Sequence, residues 1–187
     1  VCSAPGGKAM HVADLMDGTG LVESRDLTEY KIMLVEENIA RCGFTNMQTK
    51  VWDATEFDPE MEGKADIVLA DLPCSGLGII GKKPDIKMRL KEEELDELAK
   101  LQREILSVVS RYVKPGGKLI YSTCTINKKE NEENAAWILE HLPFKKKEIA
   151  SVLPEVLKKD CVENQIQLLP GIHPCDGFFI AAFEREA

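Results

Sequence analysis

Short apolar runs alternate with longer amphipathic segments along the 187 residues, and this alternation constrains the fold more than any other feature. The pattern predicts strands at residues 21–26, 47–51, 67–70, 119–122 and 177–184, and helices at residues 8–16, 28–42, 91–113 and 127–141. A strand–helix alternation of this kind is typical of the α/β class. We therefore expect a doubly wound, mostly parallel sheet with helices on both faces.

Spacing within the two longest helical segments supports this prediction. Ile32, Val35, Ile39 and Cys42 recur at steps of three and four residues, and a stripe of leucine, isoleucine and valine runs in the same way from Leu95 to Val109. Gly43 follows the first segment as a C-cap. The tripeptide at 115–117, Pro-Gly-Gly, is expected to end the second. Asn127 and Glu130 have the chemistry of a capping box for the last helix.

The amino-acid composition favours a soluble globular domain over a membrane-spanning or disulfide-rich protein. Hydrophobic residues make up 44% and charged residues 30% of the chain, as in a soluble globular domain, and the longest apolar run, 178–183, is too short to span a bilayer. Six cysteines without paired C-x-x-C spacing favour a reduced, cytoplasmic setting. The net charge of −8 means that any nucleic-acid binding must use a local basic patch or a partner domain.

The carboxyl ends of the predicted strands carry the polar residues that could bind a ligand. Residues 3–7 form a tight Ser-Ala-Pro-Gly-Gly turn ahead of a helix, although the turn matches neither the dinucleotide fingerprint nor a P-loop. Asp26 and Asp53 end the next two strands and suit the hydroxyl and amino groups of an adenosine. Without a phosphate-binding pattern, a phosphate-free cofactor such as S-adenosylmethionine is favoured over NAD or ATP.

Two cysteines follow neighbouring strands. Cys74 lies in the segment Asp-Leu-Pro-Cys-Ser-Gly at 71–76, and Cys124 lies in Ser-Thr-Cys-Thr at 122–125. We expect both thiols to face one crevice. The helix predicted to start near Asn127 would favour the thiolate of Cys124. The other four cysteines have no comparable setting.

A basic cluster lies beside the Cys74 segment, and its two interpretations stay open at this stage. It is either a solvated loop or a site of phosphate contact, and it consists of Lys82, Lys83, Lys87, Arg89 and Lys91. The three histidines show no ligand spacing, so we expect no metal site.

Five motifs in order resemble the RNA cytosine-5 methyltransferases. They comprise Cys-Ser-Ala-Pro-Gly-Gly-Lys at 2–8, the two cysteine segments, Lys-Pro-Asp-Ile-Lys at 83–87 and Asp-Gly-Phe-Phe-Ile-Ala at 176–181. The last two are similar to the bacterial Sun/Fmu (RsmB-type) branch, which methylates small-subunit (16S) ribosomal RNA. The resemblance covers almost the whole chain, with Ser3 standing where the family usually has alanine.

This resemblance implies a Rossmann-like methyltransferase sheet, mostly parallel with an antiparallel C-terminal strand. We expect residues 1–187 to be one methyltransferase domain that lacks its first strand, because the motif at 2–8 normally follows a strand.

The resemblance also assigns roles to single residues. S-adenosylmethionine would be bound by Cys2, Ser3, Ala4, Pro5, Gly6, Gly7, Lys8, Asp26, Asp53 and Asp71. Cys124 would be the nucleophile, Cys74 would assist product release, and Asp71 would also act on the cytosine ring. RNA, the expected partner, would contact Lys82, Lys83, Lys87 and Arg89.

Alternatives remain at this point. In the DNA cytosine-5 methyltransferases the Pro-Cys cysteine attacks, which would make Cys74 the nucleophile. The chain could instead be a truncated module that binds cofactor or RNA without turnover, or it could act on another RNA such as tRNA.

Overall fold

The computed structural model describes all of residues 1–187, which divide into two units, Val1–Phe57 and Asp58–Ala187. Each unit contains a pair of parallel strands.

The first unit alternates helix and strand. Its elements are α1 (Gly7–Leu15), β1 (Val22–Asp26), α2 (Glu29–Cys42) and β2 (Met47–Val51). β1 and β2 pair in parallel from Val22 opposite Met47 to Asp26 opposite Val51. As predicted, α2 ends at Gly43, which adopts the left-handed conformation, while Thr28 caps its start by accepting the Lys31 N–H.

The second unit contains the remaining elements. Its helices are α3 (Ile86–Arg89), α4 (Glu92–Val109), α5 (Glu132–His141) and α6 (Glu155–Lys158). Its strands are β3 (Ala65–Asp71), β4 (Val113–Thr123), β5 (Phe144–Lys146), β6 (Cys161–Val162), β7 (Gln165–Leu168) and β8 (Phe178–Arg185). Short 3₁₀ turns lie at Pro59–Met61, Leu77–Ile79, Ser110–Tyr112 and Ala150–Val152.

A mixed sheet of six strands forms the centre of this unit, in the order β3-β4-β8-β7-β6, with β5 also paired to β8. β3 and β4 are parallel, whereas β8 runs antiparallel to β4, β5 and β7. The α/β fold class and the antiparallel C-terminal strand are thus confirmed. The core includes the fully buried side chains of Leu106, Leu119, Tyr121, Phe179 and Phe183.

Three features differ from the sequence predictions. The tripeptide at 115–117 does not separate helix from strand but lies inside β4, where the pairing with β3 is irregular between Ala65 and Ile67. α5 begins at Glu132 rather than near residue 127, and the Glu130 carboxylate, which precedes the helix, accepts hydrogen bonds from Ser75 and from the Asn127 side chain. Strands β5, β6 and β7 are too short to show a periodic pattern and were not predicted.

None of the helices is both long and apolar enough to cross a lipid bilayer.

Candidate active site

Parallel pairing of β3 and β4 brings the two cysteine segments together. Asp71 is the partner of Ser122 in the register, and Leu72 N–H donates to the Ser122 carbonyl at 3.1 Å. Cys74 and Cys124 follow these residues by three and two positions. Their Sγ atoms lie 3.2 Å apart, and both side chains are half-buried. The predicted proximity of the two thiols is therefore observed.

Asp71 lies at the same edge of the sheet. Ser122 Oγ donates to Asp71 Oδ1 at 2.7 Å, which fixes the orientation of the carboxylate at the carboxyl ends of the strands. The side chain is partly exposed. A carboxyl group held here can exchange hydrogen bonds with a ring bound beside the two sulfurs.

The two thiols do not ionise independently. The hydrogen bond to Cys124 and burial together raise the pKa of Cys74 far above the ordinary range of a thiol, and negative charge on Cys124 acts in the same direction. Two sulfurs at this distance hold one negative charge more easily than two. The pair thus favours a protonated Cys74.

Beneath the sulfurs lies a buried polar network centred on Glu130, which is 0% exposed. Its two carboxylate oxygens accept hydrogen bonds from Ser75 N and Oγ, from Gln102 Nε2 and from Asn127 Nδ2. Ser75 Oγ also lies 2.7 Å from Thr125 Oγ1. Each cysteine is therefore followed directly by a hydroxyl residue, and these two hydroxyls are in contact.

Sequence reasoning missed this network, although two signals were present. Gln102 lies on the otherwise apolar buried face of α4, between Ala99 and Ile105. A polar residue at such a position needs a buried partner. Glu130 was interpreted only as a helix-capping residue, yet it is separated from Cys124 by five residues.

Two glycines, Gly78 and Gly177, allow the backbone of a third segment, at residue 177, to lie close to the loops that contain Cys74 and Cys124. Gly78 N–H donates to the Cys124 carbonyl at 3.1 Å, and Gly177 N–H donates to the Gly78 carbonyl at 2.8 Å. A Cβ atom on Gly78 would lie 2.3 Å from the Gly177 carbonyl oxygen. This close contact requires glycine at 78. A Cβ atom on Gly177 would likewise lie 2.6 Å from Gly78 Cα, which explains the glycine in the Asp-Gly-Phe-Phe motif.

The basic cluster is exposed on and around α3, but not all of its charge is available. Lys82 Nζ lies 2.6 Å from Asp176 Oδ2, and this contact raises the pKa of Lys82. Arg89 forms a looser pair with Asp85, at 3.5 Å. Lys83 and Lys87 are also exposed.

In the first unit, a buried aspartate fixes the Pro-Gly-Gly turn. Asp26 is 3% exposed, and its carboxylate accepts the N–H groups of Ala4 and Leu27, both at 2.8 Å. Lys31 Nζ lies 3.0 Å away. Burial alone would raise the pKa of Asp26, but these hydrogen bonds and the lysine charge outweigh it and hold the pKa below the ordinary value.

The turn itself requires glycine at its centre. Gly6 has φ +98°, and a Cβ atom there would lie 3.1 Å from Val35 Cγ1. α1 starts at the next residue without a side-chain cap, so its first turn presents backbone N–H groups. Ser3 Oγ is buried without a hydrogen-bond partner in the protein.

Asp53 directly follows Trp52, whose N–H donates to the Asp26 carbonyl at 2.9 Å. Asp53 Oδ1 accepts the hydroxyl and the N–H of Thr55, which together lower the pKa of Asp53. Backbone donors, an unpartnered hydroxyl and two carboxylates form a donor and acceptor set that suits a ligand with both carboxylate and adenosine groups.

The other cysteines, Cys2, Cys42, Cys161 and Cys175, form no disulfide bond. No group of three or more histidine, cysteine, aspartate or glutamate side chains is arranged to hold a metal ion.

Comparison with known proteins identifies relatives along the whole chain. The model of the family described as "16S rRNA methyltransferase RsmB/F" matches residues 1–184. The chain is 38% identical to the "Probable ribosomal RNA small subunit methyltransferase B" of Bacillus subtilis over 188 residues, covering 99% of this chain and 42% of that protein. It is 31% identical to the "Ribosomal RNA small subunit methyltransferase F" of Cronobacter sakazakii, covering 100% of this chain and 39% of that one.

A solved structure is also similar to this chain. The structure of NSun6 from Pyrococcus horikoshii with SFG has a TM-score of 0.86 and 30% identity, covering 99% of this chain and 46% of that one. The chain thus spans about two fifths of the length of the curated relatives that it matches.

Proposed function

Because this chain belongs to the 16S rRNA methyltransferase RsmB/F family, we propose that it is the methyltransferase domain of an RNA-modifying enzyme. The proposed reaction transfers a methyl group from S-adenosylmethionine to C5 of a cytosine in small-subunit ribosomal RNA. The observation that carries the proposal is the 3.2 Å contact between Cys74 Sγ and Cys124 Sγ at one edge of the sheet.

The need for a thiol follows from the chemistry of the base. C5 of cytosine is a poor nucleophile. When the Cys124 thiolate adds to C6, the S–C6 bond forms and the electrons of the C5–C6 double bond become available at C5. S-adenosylmethionine would supply an electrophilic methyl group to C5 and leave as neutral S-adenosylhomocysteine when its S–CH3 bond breaks. In this proposal Asp71 hydrogen-bonds the ring and stabilises the charge that develops on it.

The second half of the reaction restores the aromatic ring. Loss of the C5 proton to a base regenerates the C5–C6 double bond, and the S–C6 bond breaks to release the Cys124 thiolate. Cys74, in contact with the departing sulfur, assists this elimination by hydrogen-bonding the charge that returns to it. The raised pKa of Cys74 supports its role as the protonated partner.

S-adenosylmethionine is assigned to residues 2–8, with Asp26 and Asp53, in the first unit. The uncapped first turn of α1 suits the carboxylate of the methionine part, and Asp26 and Asp53 suit the ribose hydroxyls and the adenine amino group. The name of the related NSun6 structure, solved with SFG, is consistent with a ligand site in this fold.

RNA is assigned to the exposed basic cluster. Because Lys82 and Arg89 are paired with Asp176 and Asp85, Lys83 and Lys87 are the members proposed to contact phosphate. The target cytosine must leave any base stack to reach two half-buried sulfurs.

The proposal is tested with the complete protein, a 16S rRNA transcript and S-adenosylmethionine labelled on its methyl group. We expect label in 5-methylcytidine, and none with Cys124→Ala. Cys42→Ala, at an exposed thiol, is the matched control and should methylate normally. Label in a different nucleoside, transfer to DNA of the same sequence, or full activity of Cys124→Ala would contradict the proposal.

A further inference from the structure

We propose that Glu130 is a positioning residue that holds the Cys74 and Cys124 loops in register, so that the two sulfurs remain in contact. Its relevance to methyl transfer rests on the proposed function, but the geometric claim does not. Glu130 lies in the turn between Cys124 and α5 and contacts the loop after β3 across the edge of the sheet.

The contacts of Glu130 reach both loops. Its Oε2 accepts Ser75 N–H at 2.9 Å, and its Oε1 accepts Ser75 Oγ at 2.5 Å. Asn127 Nδ2, on the other loop, donates to Oε1 at 3.0 Å. One carboxylate therefore binds the residue directly after Cys74 and a residue three positions after Cys124.

The groups around the Glu130 side chain all donate hydrogen bonds to it, so the group at the centre of the network must be an acceptor. Asn127 N–H donates to Thr125 Oγ1 at 3.2 Å, so the Thr125 hydroxyl proton is free to point to Ser75 Oγ. The Ser75 proton then points to Glu130. Both carboxylate oxygens end such chains of donors, and a side chain that offered a donor there would oppose them.

Gln102 links Glu130 to the residue that precedes Cys74. Its Nε2 donates both to the Pro73 carbonyl at 2.8 Å and to Glu130 Oε2 at 3.0 Å. Asn134 and Tyr121 in turn bind Gln102 Oε1 and fix the orientation of the amide. The residues before and after Cys74 are thus both tied to the buried carboxylate.

Glu130 is not placed to react with a substrate. It is 0% exposed, and the protein supplies four donors to its two oxygens. It can therefore affect the chemistry only through the position of Cys74 and Cys124. A buried polar network that is fully paired rigidifies its surroundings and specifies one arrangement of them.

The test is the variant Glu130→Gln in the complete protein, with dibromobimane as the probe. Each of two thiolates displaces one bromide from this reagent, and the Cys74–Cys124 cross-link is identified by peptide mass. Glutamine keeps the shape but turns an NH₂ group toward donors. We expect cross-linking about tenfold slower, the size expected for the loss of one hydrogen bond to a charged group.

Two further variants keep the result interpretable. Glu133→Gln, at an exposed position of α5, is the matched control and should cross-link like the wild type. Ser75→Ala removes one hydroxyl from the network and keeps the backbone N–H, so we expect a smaller decrease. If Glu130→Gln does not fold, Ser75→Ala decides the question.

Steady-state kinetics with RNA as the substrate distinguish a positioning role of Glu130 from a contribution to stability alone. Positioning predicts that Glu130→Gln lowers kcat and leaves the KM for S-adenosylmethionine unchanged. A wild-type rate of cross-linking in folded Glu130→Gln or Ser75→Ala would overturn the proposal. Because cross-linking needs no RNA, a protein that cross-links as expected but does not methylate cytosine would contradict only the proposed function.

Discussion

The Sγ atom of Cys74 lies 3.2 Å from the Sγ atom of Cys124, although 50 residues separate them in sequence. The parallel register of β3 and β4 produces this contact by aligning Asp71 with Ser122. Thiols this close influence each other's ionisation, and the raised pKa of Cys74 is the result. The proposed mechanism depends on this contact, because it requires one sulfur to attack while the other remains protonated beside it.

Removal of Cys124 should make Cys74 more reactive. Because the hydrogen bond to Cys124 is the largest cause of the raised pKa of Cys74, Cys124→Ala should lower that pKa and increase the thiolate fraction near neutral pH. Alkylation of Cys74 by iodoacetamide, followed by peptide mass spectrometry, should then be faster than in the wild type. Cys42, which is exposed, is the internal control. An unchanged or slower rate at Cys74 would show that the two thiols are not coupled.

A side chain at residue 78 should disturb the Cys124 loop. The Cβ atom of Gly78→Ala would lie 2.3 Å from the Gly177 carbonyl oxygen and 2.8 Å from the Cys124 carbonyl oxygen. We expect a loss of about 1–3 kcal/mol in the free energy of unfolding, as for other overpacked sites, together with reduced methylation. Urea denaturation measures the first effect. Gly81→Ala is the matched control, since a Cβ atom there meets nothing within 4 Å. Equal stability of the two variants would be inconsistent with this packing.

Much of the candidate active site could be predicted from sequence because its residues lie directly after predicted strands. The run at 67–70 and its following Asp71, and the run at 119–122 and its following cysteine, are local signals of two buried parallel strands. Ligand crevices of α/β sheets lie at such ends. The proximity of the two cysteines follows from this rule alone.

Side-chain networks could not be predicted in the same way. Glu130 lies in the core rather than at a helix cap because it binds Ser75, which is 55 residues away. The sequence around Glu130 contains no pattern that would predict this partner. The Lys82–Asp176 pair likewise joins residues that are distant in sequence. The short strand β7 is stabilised by pairing with β8 rather than by its own propensity.

The contribution of Asp26 to stability should disappear in acid. Its folded-state pKa lies below the ordinary value, so the stabilisation is fully present above the unfolded pKa of about 3.9 and is lost as pH falls through the folded pKa. Asp26→Asn should therefore be less stable than the wild type at neutral pH, and the difference should shrink on acidification. Thermal unfolding across a pH series measures this difference. Asp14→Asn, on the exposed face of α1, should show little difference at any pH. A difference for Asp26→Asn that stays constant into strong acid would contradict the assignment.

RNA affinity should depend unequally on the basic cluster. Lys83→Ala and Lys87→Ala should each weaken RNA binding and reduce the slope of log affinity against log salt by about 0.7, the value for one phosphate contact to a single strand. Lys82→Ala should have a smaller effect, because Asp176 already neutralises that charge. Lys145→Ala, whose charge is paired with Glu184, is the control. Filter binding of the complete protein over a salt series provides the slopes, and equal slopes for all four variants would argue against RNA contact here.

Trapping the covalent adduct tests the central claim most directly. Complete protein carrying Cys74→Ala, incubated with 16S rRNA and S-adenosylmethionine, should accumulate a protein–RNA adduct that survives denaturation, since the thiol that assists elimination is missing. Digestion and mass spectrometry should locate the cytosine on Cys124, and the double variant with Cys124→Ala should yield no adduct. A cytosine attached to Cys74 in the single variant Cys124→Ala, or turnover by that variant, would contradict the account.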